Sequence, residues 1–145
     1  NCHFDFERRN LMVDSSNEIA VIDFQDLCIG PVGIDLAGII VDHYISYSDQ
    51  LIDNALKHYV QCLQLDVSVR DVNEWLRWGG IQRNMRILGT LSNLYIQDNR
   101  TFRLKDLPGI LENLITLIPN DEFMSLKEHL SSTVMPKLHE ELEAL

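Results

Sequence analysis

The chain has 145 residues, 46% of them hydrophobic, and a formal net charge of −10. That is enough apolar material for one folded domain and too much for disorder. The acidity disfavours nucleic acid and membrane surfaces as partners, because both present phosphates, and no apolar run is long enough to cross a bilayer.

The first elements read as a β-hairpin. Leu11–Val13 and Ile19–Phe24 are short apolar runs, and Asp14-Ser15-Ser16-Asn17 between them is turn-forming. The expectation is a strand over 11–13, a turn over 14–17 and a strand over 19–23. After Gly30-Pro31 the apolar spacing becomes helical, with Leu36, Ile39, Ile40 and His43 or Tyr44 on one face and Asp35 at the start. A second helix is predicted over Asp49–Leu63. Ser68 is the predicted N-cap of a long third helix, which Gly79-Gly80 interrupts as a bend or a place of close packing and which leaves at Asp98-Asn99. A fourth helix covers 104–117 and stops at Pro119. A last helix or helix pair covers 121–144, with Pro136 marking a break or restart. The fold class is therefore mainly α with a small β-hairpin. A hairpin of two strands has little stability alone and needs the helices beneath it.

Three groups of residues carry chemistry. The first is His3-Phe4-Asp5-Phe6-Glu7-Arg8-Arg9-Asn10, with the spacing H-x-D-x-x-x-x-N. Phosphoryl transfer asks little covalent work of a protein. It needs a carboxylate to orient the attacking hydroxyl and oxygen ligands for a metal ion. Asp5 suits the first task and Asn10 the second. The next group is Ile22-Asp23-Phe24-Gln25-Asp26, at the end of an apolar strand. A hairpin returns Asp23 to the neighbourhood of Asn10, so it can share the metal. Asp26 is a weaker candidate beside it. The third is Ile29-Gly30-Pro31 followed by Ile34-Asp35-Leu36-Ala37. A carboxylate at Asp35 can accept hydrogen bonds from the backbone of the His3–Asp5 loop and fix its shape.

In this order the three motifs resemble the aminoglycoside phosphotransferase/choline kinase superfamily, whose members share the protein-kinase fold. The later Gly80-Ile81-Gln82-Arg83-Asn84-Met85-Arg86-Ile87-Leu88-Gly89 and Asp106-Leu107-Pro108 resemble one branch of it. That branch is the bacterial kinases of N-acetylmuramate and N-acetylglucosamine in cell-wall recycling. The resemblance implies an ATP- and Mg2+-dependent transfer of phosphate to a hydroxyl of a small molecule. It makes Asp5 the catalytic base, Asn10 and Asp23 the metal ligands, and His3 and Asp35 the supports of the loop. It also makes Asp42 a candidate for binding the acceptor, against the plainer reading of a solvated helix residue. The guanidinium fork of Arg83, on the long helix beside Gln82 and Asn84, suits an acyl or carboxylate group of a sugar, against the plainer reading of an ion-paired arginine. Phe4 stands where the family has Arg or Gly, and Glu7 where it often has His. Both departures leave Asp5, Asn10 and Asp23 in place.

The resemblance places the chain in the C-terminal lobe, with residues 1–30 as catalytic loop and metal-binding hairpin and 31–145 as helical bundle. The ATP-binding lobe that should precede His3 is not in the sequence, and Asn1 follows no Met or basic leader. The chain is thus expected to be a fragment of a larger enzyme, inactive alone, with the face meant for the other lobe a candidate for self-association. Three cysteines, an odd number with no C-x-x-C pair, fit a reducing, cytoplasmic setting. The alternatives are an aminoglycoside, choline or homoserine kinase, or a helical interaction module. The last predicts that Asp5, Asn10 and Asp23 point apart.

Overall fold

The computed structural model describes residues 1–63 and 66–145. They are mainly α-helical, with one two-stranded antiparallel hairpin. The chain divides into two compact units, Asn1–Gly80 and Ile81–Leu145, and the division falls inside the third helix.

In the first unit, strands β1 (Leu11–Val13) and β2 (Ile19–Val21) pair with Leu11 opposite Val21 and Val13 opposite Ile19. The Asp14 carboxylate holds the turn by accepting from the Ser16 and Glu18 amides at 2.8 and 2.9 Å. The second strand stops two residues short of the predicted end. The cause is Asp23, whose φ of 64° lies in the left-handed region and leaves the extended path. Residues 12–29 are all exposed, among them the apolar side chains of Val13, Ile19, Phe24, Leu27 and Ile29.

Helix α1 (Gly33–Ile40) starts two residues before the predicted position. Asp35 does not cap it. Val32 holds the N-cap position with no side-chain bond, and the Asp35 carboxylate serves the N-terminal loop instead. His43 and Tyr44 lie beyond the helix, in the connection to α2 (Asp49–Leu63). A long helix, α3 (Val69–Asp98), runs uninterrupted through Gly79-Gly80. Its start is a reciprocal capping box. The Asp71 amide donates to Ser68 Oγ, while Ser68 N–H and Oγ–H donate to Asp71 at 2.9 and 2.6 Å. Those two bonds hold the Asp71 carboxyl below the usual aspartate range. Ala37, Leu56, Val72 and Leu76 form the core of this unit, one helix face each from α1, α2 and α3. Gly33 and Gly79 let α1 and α3 touch backbone to backbone. A Cβ on Gly33 would overlap the Trp75 carbonyl, and one on Gly79 would lie 2.6 Å from the Ile34 nitrogen.

The N-terminus joins this unit through a bridge in which Cys2 and Cys28 exchange both backbone hydrogen bonds. Cys2 is buried, its thiol donates to the Gly30 carbonyl at 2.9 Å, and burial beside Asp35 pushes the thiol pKa up. All three cysteines are free.

The second unit is built on α4 (Leu107–Leu117), preceded by a 3-10 turn over Leu104–Asp106. Leu107, Ile110, Leu111 and Leu114 recur at helical spacing and are all buried. They pack against the second half of α3 and against α6 (Met135–Glu143). Between α5 (Asn120–His129) and α6 runs a π-helical turn, Leu130–Val134. The predicted break thus falls before Pro136. Proline has no N–H and its ring crowds the carbonyl four residues back, so the chain widens in the turn that precedes it. Trp75 joins the core of the first unit. Trp78, one helical turn further on, is 41% exposed and donates its indole N–H to Glu74 at 2.9 Å.

Candidate active site

The loop before β1 is held from two sides. On one side the Asp35 carboxylate acts as a fork: Oδ2 accepts from the His3 amide at 2.6 Å and Oδ1 from the Phe4 amide at 2.8 Å. Phe4 sits at φ 69°, a conformation costing a bulky residue about 1–3 kcal/mol. The fork grips the amides of Phe4 and of the residue before it, which accounts for the strain being kept. On the other side His3 Nε2 meets the Ile22 carbonyl at 2.9 Å. A carbonyl only accepts, so the proton is on Nε2.

Asn10 closes the loop. Its Nδ2 donates to the Asp5 carbonyl at 2.8 Å and reaches the Asp5 carboxylate at 3.5 Å. Its own carbonyl accepts from the Ile22 amide at 3.0 Å. Ile22 therefore touches both His3 and Asn10, and Asp23 is the next residue. Asp5 and Asn10 are in direct contact, and the hairpin brings the chain to Asp23 one residue beyond that contact. The Asp23 carboxylate accepts from Gln25 at 2.9 Å through Oδ1.

The oxygens of this set suit a hard divalent cation. With Nδ2 of Asn10 committed to Asp5, its Oδ1 is the atom left for a ligand, as is Oδ2 of Asp23. Carboxylate and carboxamide oxygens, two from the protein with water and phosphate for the rest, are what magnesium takes. Among the described residues no three His, Cys, Asp or Glu side chains gather into a metal cluster of their own.

Two arginines in the loop escaped the reading of the sequence. Arg9 Nη2 donates to Asp5 Oδ2 at 3.0 Å and also pairs with Glu7. Arg8 Nε donates to Asp42 Oδ2 at 2.6 Å. The signal available was the pair of guanidiniums between Asp5 and Asn10, but nothing in the order of residues says which carboxylate each would meet. Asp42 is not a solvated helix residue: it lies past α1, and its Oδ1 accepts from the Tyr44 amide at 2.7 Å. Burial pushes the Asp42 carboxyl up, but the Tyr44 amide and the Arg8 guanidinium outweigh it and hold the pKa below the ordinary 3.8. A carboxyl depressed on folding gives its stabilisation in full above the unfolded value and loses it as pH falls through the folded one. The Tyr44 amide resonance is therefore expected to follow the Asp42 titration in NMR with a midpoint below that of an ordinary aspartate, and a midpoint above it would remove the Arg8 and Tyr44 contacts as its cause. Asp26 is exposed beyond β2, and Arg83 is buried on α3 in the second unit.

Replacing Asp35 by Asn keeps the shape and turns one arm of the fork into a donor facing an amide N–H. One amide then loses its partner, at a cost of about 2 kcal/mol. Asp35→Asn is expected to lower the urea midpoint accordingly and to shift the His3 and Phe4 amide resonances. An unchanged midpoint and spectrum would remove the fork from the account of the loop.

Comparison with known proteins adds three findings. Residues 1–71 match the profile of the phosphotransferase enzyme family, APH. The N-acetylmuramate/N-acetylglucosamine kinase of Neisseria meningitidis is 27% identical over 117 residues, which is 77% of this chain and 35% of that protein. The enzyme of the same name from Pseudomonas aeruginosa is 29% identical over 136 residues, 90% of this chain and 40% of that protein. The Pseudomonas putida one is 29% identical over 111 residues, 73% of this chain and 32% of that protein. The chain thus spans well under half the length of these relatives. No solved structure gave a significant match. Among the described residues no helix is long and apolar enough to cross a membrane.

Proposed function

We propose that this chain, whose residues 1–71 match the profile of the phosphotransferase enzyme family, is the acceptor-binding part of an ATP-dependent kinase of amino-sugar hydroxyls. The observation that carries the reading is the contact of Asp5 with Asn10, closed by a hairpin that ends one residue before Asp23. A proton acceptor beside hard oxygen ligands is the protein's whole task in this chemistry, and this contact supports that reading of Asp5, Asn10 and Asp23.

Asp5 orients the acceptor hydroxyl and takes its proton as the oxygen attacks phosphorus. Arg9, at 3.0 Å, fixes the Asp5 carboxylate in place, and Asn10 fixes the backbone beneath it. Magnesium, held by Asn10 and Asp23, would neutralise charge on the phosphates. Asp35 and His3 hold the loop to α1 and to the hairpin, so that Asp5 meets the acceptor in one orientation. In this reading ATP is bound by a further lobe of the protein, and that lobe covers the apolar side chains exposed between residues 12 and 29. The relatives' greater length leaves room for one.

The amino-sugar acceptor comes from the names of the relatives, and the test is a phosphorylation screen of the full-length protein. N-acetylmuramate and N-acetylglucosamine are expected to be phosphorylated with ATP and magnesium, and kanamycin and choline to be left unchanged. Turnover of kanamycin or choline alone would sink the sugar assignment while keeping the kinase.

A further inference from the structure

Arg8 is built into the loop with most of its hydrogen-bonding capacity unused. A guanidinium has five N–H donors in a rigid fork. Arg8 commits one of them, at Nε, to Asp42. Its two terminal nitrogens make no hydrogen bond or ion pair among the described residues, and the side chain is 45% exposed. Asp42 in turn is fully engaged, one oxygen on Arg8 and the other on the Tyr44 amide. That pins the guanidinium without covering its outer edge. Tyr44, whose amide shares Asp42 with Arg8, has a side chain 59% exposed, its ring tilted 41° against His43 with centroids 4.0 Å apart. Arg8 follows Asp5 by three residues.

We propose that the terminal nitrogens of Arg8 and the ring of Tyr44 form a subsite for an acceptor that is a sugar acid, the carboxylate on the guanidinium and the pyranose face on the tyrosine. The inference rests on the kinase reading for the word acceptor and names what selects it. A fork of two parallel N–H donors matches a carboxylate, and an aromatic face matches the C–H side of a hexose. Asp42 cancels the charge of Arg8 at long range, so selection works through fork geometry at contact. That also suits a chain whose net charge of −10 repels anions at a distance. N-acetylmuramate carries a lactyl carboxylate on the ring that N-acetylglucosamine presents without it. The two sugars therefore differ by the group Arg8 would hold.

Binding to this chain, followed by NMR, tests the subsite without any turnover. N-acetylmuramate is expected to bind about tenfold more tightly than N-acetylglucosamine, shifting the Arg8 Nε–H and Tyr44 signals, as one charge-assisted contact at a half-exposed site supports. Lactate, the acid without the ring, is expected to shift Arg8 and to bind more weakly than the sugar acid. Arg8→Gln should bring N-acetylmuramate to the affinity of N-acetylglucosamine, and Arg8→Lys should keep part of the difference. Unchanged His3 and Phe4 amide signals in both variants would show the loop intact. Equal affinity for the two sugars, unaltered affinity in Arg8→Gln, lactate as tight as the sugar acid, or no binding of either sugar would each overturn the proposal. The kinase reading fails separately, if the full-length protein binds the sugars in this way and phosphorylates neither.

Discussion

Phosphate transfer by the full-length protein is expected to fall about a thousandfold when Asp5 is replaced by Asn. Asparagine keeps the shape of the side chain and an oxygen for Arg9, and the main-chain carbonyl of residue 5 still receives Asn10. What is lost is the capacity to take a proton. The Arg9–Asp5 pair is too exposed to matter much for stability, so the unfolding midpoint should barely change. Asp23→Asn is expected to behave differently. Its oxygen would still reach the cation without the charge, and the rate should drop on the order of 100-fold and recover in part as magnesium is raised. Asp5→Asn should show no such recovery. Steady-state rates at several magnesium concentrations separate the two roles. A fully active Asp5→Asn protein would remove Asp5 as the base, and equal magnesium dependence of the two variants would remove Asp23 as a ligand.

The largest effects on stability are expected at Gly33 and Gly79. Alanine is favoured over glycine inside a helix by about 1 kcal/mol, and propensity alone would make Gly79→Ala stabilising. Packing reverses the sign. The new methyl group would lie 2.6 Å from the Ile34 nitrogen and would overlap the Gly33 carbonyl, and backbone atoms cannot swing aside as a side chain can. Gly33→Ala meets the Trp75 carbonyl in the same way. Either change must push α1 off α3, at a cost of about 3 kcal/mol or more. Gly89, on the same long helix, has nothing within 4 Å of its would-be Cβ, and Gly89→Ala is expected to gain about 1 kcal/mol. Urea unfolding of the three variants reads the contrast directly. A Gly79→Ala protein as stable as Gly89→Ala would mean that α1 and α3 are not in backbone contact.

Much of this architecture was written locally. The turn Asp14–Asn17 sets the hairpin register because the Asp14 carboxylate bonds within its own turn. The second helix occupies its predicted limits, and Ser68 with Asp71 marks the start of the third, because both ends depend on neighbours in sequence. The family resemblance and the mainly helical fold were legible for the same reason: their motifs are short and ordered along the chain. What was hidden depends on distant partners. Gly79-Gly80 was visible as a bend or a place of close packing, but that Gly33 would be the surface packed against it was not. The left-handed turn at Asp23 shortened a strand that its apolar run extended. The first helix ends at Ile40, short of Asp42, and the arginine that Asp42 meets lies 34 positions away. A π-helical turn displaced the break expected at Pro136, since the need for a missing N–H can be met one turn early.

The Asp35 fork also makes a ring of the chain. Its two hydrogen bonds join positions 31 and 32 residues apart, with the whole hairpin inside the loop they close. Closing a ring of that size costs chain entropy that no neighbour in sequence offsets, so the clasp forms only once α1 is already docked. The His3 and Phe4 amides can then exchange with deuterium only when the clasp opens. Their protection is a clock for how often the first helix lets go of the loop that carries Asp5.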